Sequence, residues 1–186
     1  MGGCSSLSRV VARTSDKLFL QRATLDTVPV FTLKSQGGWG KIVSLYDGDT
    51  GKIVVVSPIR TTFPFRLVGI DCEEMRQPKS AEQRDEKKKF AISARNQLCN
   101  LSTSINVDDS FSEKGKVWAE MISQNKKLIW WKCDGWDKYG RALMHLWDNE
   151  PKQGCASINE QMITTGYGVA YDGGTKSQVI DTRVVA

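Results

Sequence analysis

The sequence predicts an α+β fold, a small closed barrel of five β-strands decorated with helices, and three observations predict it. Short runs rich in β-branched and aromatic residues come first and are punctuated by turns. Helical patterns are interleaved behind them, and a further pair of strand-like runs lies late in the chain. An open sheet of this size leaves two unpaired edges, and closure of the OB type removes them.

Each element follows from its own residues. From "VPVFTLK" onward, "GWGKIVSLY", "GKIVVVS" and "TTFPFRLVGI" read as a twisted antiparallel sheet joined by hairpins. In "SAEQRDEKKKFAISARNQLCNL", Phe90, Ala91, Ala94, Leu98 and Leu101 recur at helical spacing, which predicts one amphipathic helix with a charged outer face. The stretch 102–125 is polar and reads as an insertion or long loop, with a short helix around "VWAEMI". "KKLIWWKC" and "RALMHLWD" flank "DGWDKYG" as a strand pair. The last helix, in "SINEQMITTGYG", has Ser157 as N-cap, Glu160 completing a capping box and Gly166 as its stop. The domain so assembled spans 28–180, behind an appended Ser- and Arg-rich segment, 1–27.

Composition narrows the function classes. The chain has 186 residues, 40% of them hydrophobic, enough for one domain with a proper core. A net charge of +5 favours an anionic partner. The five cysteines, Cys4, Cys72, Cys99, Cys133 and Cys155, are far apart and form no C-x-x-C pair. Neither a zinc ribbon nor a disulfide framework is indicated, and a reducing compartment fits. No apolar run approaches the ~20 residues of a membrane span. His145 is the sole histidine and is expected to be structural, so histidine-based nuclease chemistry lacks its parts.

Three stretches carry chemistry. In "LYDGDT", Asp47 and Asp49 follow a strand-like run, and on its own this reads as a turn in which Gly48 supplies positive φ. In "FRLVGIDCEEM", strand alternation puts Arg66, Val68 and Ile70 on one face and Leu67, Gly69 and Asp71 on the other. Arg66 pointing inward among apolar neighbours would be costly unless it met an anion. The acids Asp71, Glu73 and Glu74 follow; alone, they would be an ordinary solvated loop. "DKYGRAL" sets Arg141 behind a Tyr-Gly turn, which singly is a surface turn. An EF-hand is a rival for "DGDTG", but position twelve of such a loop counted from Asp47 is Pro58 and not Glu, so it fails.

Together and in this order, "DGDT", "FRL…D-x-x-E" and "DKYGR" resemble the staphylococcal (thermonuclease-type) nuclease family, over about Lys41 to Lys176 and including "INEQMITTGYGVAY". The resemblance implies an OB-like barrel with three helices. It implies Ca²⁺ held by Asp49, Asp71 and the main-chain carbonyl of Cys72, with Asp47 and Glu74 acting through waters. It further implies Arg66 and Arg141 as the arginines that grip the phosphate, Glu74 as the catalytic glutamate that positions and deprotonates water, and Tyr139 and Tyr171 at nucleotide-contacting positions. From the residues alone, those tyrosines could equally be ordinary partly buried ones. The implied activity is hydrolysis of single-stranded DNA and RNA by a monomer, leaving 5′-hydroxyl and 3′-phosphate ends. The alternative is a catalytically silent module that binds nucleic acid or protein at a membrane. One departure stands out: where the family has proline before the glutamate, this chain has Glu73.

"MGGCSS" fits an acylated start, with Gly2 for myristate and Cys4 for palmitate, supported by Arg9, Arg13, Lys17 and Arg22. This predicts the cytoplasmic face of the plasma membrane; a mitochondrial transit peptide and an unaddressed cytosolic start are the alternatives. Gly2-dependent incorporation of labelled myristate tests it.

Overall fold

The computed structural model describes residues 14–28, 30–78 and 83–173. The chain divides into two compact units, Met1–Thr32 and Leu33–Ala186. In the first, helix α1 (Thr14–Arg22) is followed by a turn in which the Thr24 amide donates to Thr27 Oγ1 at 2.8 Å. Gly2 and Cys4 lie outside the described residues, as does everything after 173. No helix among the described residues is long and apolar enough to cross a membrane.

In the second unit, the strands β1 (Gly37–Leu45), β2 (Thr50–Val55) and β3 (Thr61–Leu67) form an antiparallel meander. A two-residue strand, β4 (Ile70–Asp71), comes next, then helices α2 (Arg84–Ser102) and α3 (Gly115–Gln124). Strands β5 (Ile129–Trp136) and β6 (Ala142–Trp147) form a hairpin, followed by α4 (Ile158–Thr164) and β7 (Val169–Ala170). The barrel closes in the order β1-β2-β3-β6-β5, and β4 pairs with β7 beside it. The closure is mixed and not purely antiparallel, because β3 and β6 run parallel, with Phe65 opposite Ala142 and Leu67 opposite Met144.

Alternation fills the barrel with Ile42, Ile53, Phe65, Leu67, Trp131, Met144 and Leu146, each at most 1% exposed. On the same rule Arg66, between the buried Phe65 and Leu67, faces away from the core. The inward arginine expected from the sequence is therefore corrected: Phe65 and Leu67 point in. The alternation also stops at a turn over Val68 and Gly69, where Gly69 has φ 75°, so Ile70 and Asp71 begin a new strand and both are buried.

Helix α2 buries Phe90, Ala91, Ala94 and Leu98 as its periodicity predicts, but its polar residues are not all outside: Arg95 and Asn96 are also buried. The stretch 102–125 is tied to the barrel. Trp118 and Ile122 of α3 enter the core, Trp118 Nε1 donates to Leu45 O at 2.8 Å, and Asn125 Nδ2 donates to Ile42 O at 2.7 Å. At α4 the capping box forms: Glu160 N donates to Ser157 Oγ, and Ser157 N donates to Glu160 Oε2 at 2.6 Å. From the same helix, Asn159 stitches β6 to the β3–β4 turn. Its Nδ2 donates to Val68 O and Met144 O, and its Oδ1 accepts from Leu146 N.

Candidate active site

The "DGDT" motif is a turn between β1 and β2, built by Asp47. Asp47 Oδ1 accepts from Thr50 N at 2.8 Å, from Thr50 Oγ1 at 2.5 Å and from Asp49 N at 3.2 Å. Gly48 does not have the positive φ expected of it. Its glycine is required by contact: a Cβ there would come within 2.8 Å of Ala94 Cβ and 2.9 Å of Cys72 Sγ. The turn is thus pressed against α2 and the strand end that follows β4, and this close approach aims Asp49.

Asp49, 3% exposed, reaches two partners. Its Oδ2 accepts from Cys72 N at 3.1 Å, and its Oδ1 from Arg66 at 3.1 Å. The same guanidinium donates through its other nitrogen to Asp71 Oδ1 at 2.6 Å, so one fork touches both carboxylates. Burial works against the charge of Arg66, but the pull of Asp49 and Asp71 outweighs it and raises its pKa. Burial and then the neighbouring Asp47 push Asp49 up to about 8, against the pull of Arg66 and the Cys72 amide. Burial, reinforced by the same acids, drives the Cys72 thiol well above its usual range, so this sulfur is neutral packing material and not a nucleophile.

A cleft of about 180 Å³ opens here, lined by Tyr46, Asp47, Asp49, Thr50, Arg66, Cys72, Glu74, Arg76 and Arg141. Of the residues expected from sequence, Asp49, Arg66, Cys72, Glu74 and Arg141 meet on its walls, brought from four separated stretches. Asp71 lines no part of it and sits behind Arg66. Tyr139 and Tyr171 are not on the walls either, but each accompanies a site arginine. The Arg66 Cζ lies 5.9 Å from the Tyr171 ring centroid, and the Arg141 Cζ lies 5.4 Å from that of Tyr139. Tyr139 is 72% exposed.

Four positions were not singled out by sequence reasoning. Tyr46 and Arg76 line the cleft; the signal for Arg76 was its place two residues beyond Glu74. Asp137 holds the β5–β6 turn through Tyr139 N at 2.8 Å and Arg141 N at 2.9 Å, and fixes Arg141 through its Nε at 2.6 Å. Gln77 donates to Glu73 Oε1 at 2.7 Å and to Glu74 O at 2.6 Å, cross-linking the loop that carries the candidate base. Where the family has proline, this chain ties the loop through the Glu73 carboxylate instead.

Among the described residues, no three His, Cys, Asp or Glu side chains converge as a metal centre. The donor chemistry nonetheless suits a hard divalent cation: the buried carboxylates of Asp49 and Asp71 fall within the span of one guanidinium, with Asp47 beside them. Asp49, whose charge is disfavoured first by burial and then by Asp47, is a carboxylate that a cation would help to ionise.

The sequence model of the family described as "Staphylococcal nuclease homologue" matches residues 64–182, more than half of the chain. The chain belongs to the staphylococcal nuclease family. The match includes Arg66, Asp71, Glu74 and Arg141 and begins beyond the "DGDT" turn. Comparison with curated proteins finds no match. Membership of this staphylococcal nuclease family makes the barrel a nuclease-type or nucleic-acid-binding module.

Proposed function

We propose that this protein is a calcium-dependent nuclease that hydrolyses phosphodiester bonds of single-stranded DNA and RNA, leaving 3′-phosphate and 5′-hydroxyl ends. The observation that carries the proposal is the meeting of Glu74, Arg66, Arg141 and Asp49 in one cleft. Two guanidinium forks match a phosphate bidentately, and they gain most when the charge of the reacting group rises in the transition state. Glu74 is exposed at the cleft, where its carboxylate can orient a water and take its proton as the oxygen attacks phosphorus. The bond from phosphorus to the 5′-oxygen breaks on the far side and that oxygen takes a proton from solvent to become the 5′-hydroxyl, while Arg141, held at Nε by Asp137, keeps its terminal nitrogens for the phosphate.

Calcium would be held by Asp49, Asp71 and the Cys72 carbonyl, and when bound it supplies Lewis-acid stabilisation and a more acidic water. The chain's own residues bind the phosphate, orient the water and accept its proton.

Digestion of denatured DNA and of RNA, with Ca²⁺ and with EGTA, by the full chain and by Glu74→Ser tests the proposal. The expected result is cutting by the wild type with Ca²⁺ only, and a rate at least about 10²-fold lower for Glu74→Ser. Equal cutting under all conditions, or binding without cutting under any, would overturn it, the latter in favour of a silent nucleic-acid-binding module.

A further inference from the structure

Three arginines line the cleft, and they differ in what they already hold. Arg66 gives both terminal nitrogens to Asp49 and Asp71 and reaches Ile70 O at 3.3 Å as well. Arg141 gives its Nε to Asp137 at 2.6 Å. Arg76 is exposed and makes no ion pair or hydrogen bond with the described residues. Paired guanidiniums beside carboxylates present little net charge to an approaching anion, whereas an unpaired one presents all of its own. Among the described residues, Arg76 is therefore the cleft's uncompensated cation.

The position of Arg76 is not left to chance. Gln77, the next residue, is bonded to Glu73 Oε1 and Glu74 O, so the backbone on which Arg76 stands is cross-linked directly behind the candidate base. Tyr46 stands at the other motif, beside Asp47. Its amide donates to Thr50 O at 3.0 Å, closing the hairpin, and the residue, 59% exposed, lines the cleft. A single phosphate held by Arg66 and Arg141 uses neither Arg76 nor Tyr46. A polynucleotide carries a further phosphate and a further base within the same stretch of strand, and these are the two groups that a free guanidinium and an exposed aromatic ring recognise.

We propose that Arg76 and Tyr46 form a second subsite, in which Arg76 binds a phosphate neighbouring the scissile one and Tyr46 stacks on a base. The inference rests on the nuclease reading for its kinetic test and on binding alone for a second one. The subsite selects polynucleotides over substrates with one phosphodiester, and it acts in binding and not in the chemical step.

The experiment compares the full chain with Arg76→Ala, Arg76→Lys and Tyr46→Ala on a single-stranded oligothymidylate and on a dinucleotide with one phosphodiester. KM and kcat are resolved separately, and oligonucleotide binding is followed by fluorescence anisotropy over a range of salt. For Arg76→Ala, KM on the oligonucleotide rises about tenfold, and the ratio of KM values for the two substrates shifts by a similar factor. The slope of log K against log salt falls by about 0.7, Arg76→Lys recovers part of the loss, and Tyr46→Ala weakens oligonucleotide binding with little change in that slope. An equal rise in KM on both substrates, or no rise on either, overturns the subsite. If the wild type cuts neither substrate, the nuclease reading fails while anisotropy still decides: oligonucleotide binding that Arg76→Ala leaves unaltered, or no binding at all, overturns the subsite too.

Discussion

Arg66 and Arg95 are both withdrawn from water, and the two regions around them have solved the same problem differently. Arg66, with 15% of its side chain exposed, sits between two carboxylates at the edge of a cleft. Arg95, 2% exposed, meets no carboxylate in its bonds: it donates to Glu113 O, Phe111 O and Asn96 Oδ1 and lies 3.8 Å from the Trp118 ring centroid. Burial pulls its pKa down, while the acids around Arg66 push that one up. Asn96 adds bonds to Asp108 O, Asp109 O and Phe111 O, so this pair of α2 residues ties down the loop before α3. Carbonyls of a folded loop are fixed partners; carboxylates can exchange one cation for another. A buried arginine held by carbonyls builds structure, and one held by acids at an open cleft is available for chemistry.

The strongest way to break this contrast is to truncate each arginine in turn. Arg66→Ala is expected to lower kcat/KM on denatured DNA about 10³-fold, roughly 4 kcal/mol of transition-state binding. Arg95→Ala is expected to cost about 3–5 kcal/mol of unfolding free energy in urea, because buried carbonyls lose their donor and Trp118 its partner, while kcat/KM of the folded fraction stays within a few-fold. If Arg66→Ala destabilises the fold as much as Arg95→Ala, the division between the two regions is wrong.

Asp137 sharpens the contrast, since it lies on the chemical side but acts through bonds. Burial tends to raise its pKa, and the Arg141 and Tyr139 contacts more than reverse this, so it is held below the ordinary 3.8. A depressed carboxylate stabilises the fold at pH values above its unfolded pKa, and that contribution fades as pH falls through the lower folded value. Wild type and Asp137→Asn should therefore differ in stability at neutral pH and converge in acid below about pH 3.8, as followed by urea unfolding across pH. At neutral pH, Asp137→Asn should lower kcat/KM about tenfold by loosening Arg141.

The smallest effect is expected at Gln77. Gln77→Ala removes the cross-link that stands in for the family's proline, and should cost about 1 kcal/mol of stability or less, with a few-fold drop in kcat. Unchanged kcat would mean that Glu73 and Gln77 do not hold Glu74 in place.

What could be read from the chain was what local chemistry dictates. The apolar alternation of β2, β5 and β6, the capping box at Ser157 and the spacing of Ala91, Ala94 and Leu98 are written in neighbouring residues, and so were the linked site motifs. Arg95 looked like one more charge on a charged helix, because the carbonyls that hold it come from a loop far along the chain. Asn159 and Gln77 were equally silent, since a polar side chain declares its partner only in three dimensions. The facing of Arg66 was misread for a related reason: the turn at Val68 and Gly69 breaks the alternation that was carried through it.

The thiol of Cys72 acts as a spacer. A Cβ at Gly48 or at Gly168 would lie 2.9 Å from its sulfur, so the sulfur is wedged between two residues that have no side chain at all. That wedge sets the gap between the "DGDT" turn and the β4–β7 pair, much as a shim sets the clearance of a machine part. A single added methyl at Gly48 would be felt as a misaimed Asp49, whereas one at Gly168 would meet Ile70 Cδ1 at 2.6 Å before it met the sulfur. The candidate site inherits the manufacturing tolerance of the core beneath it.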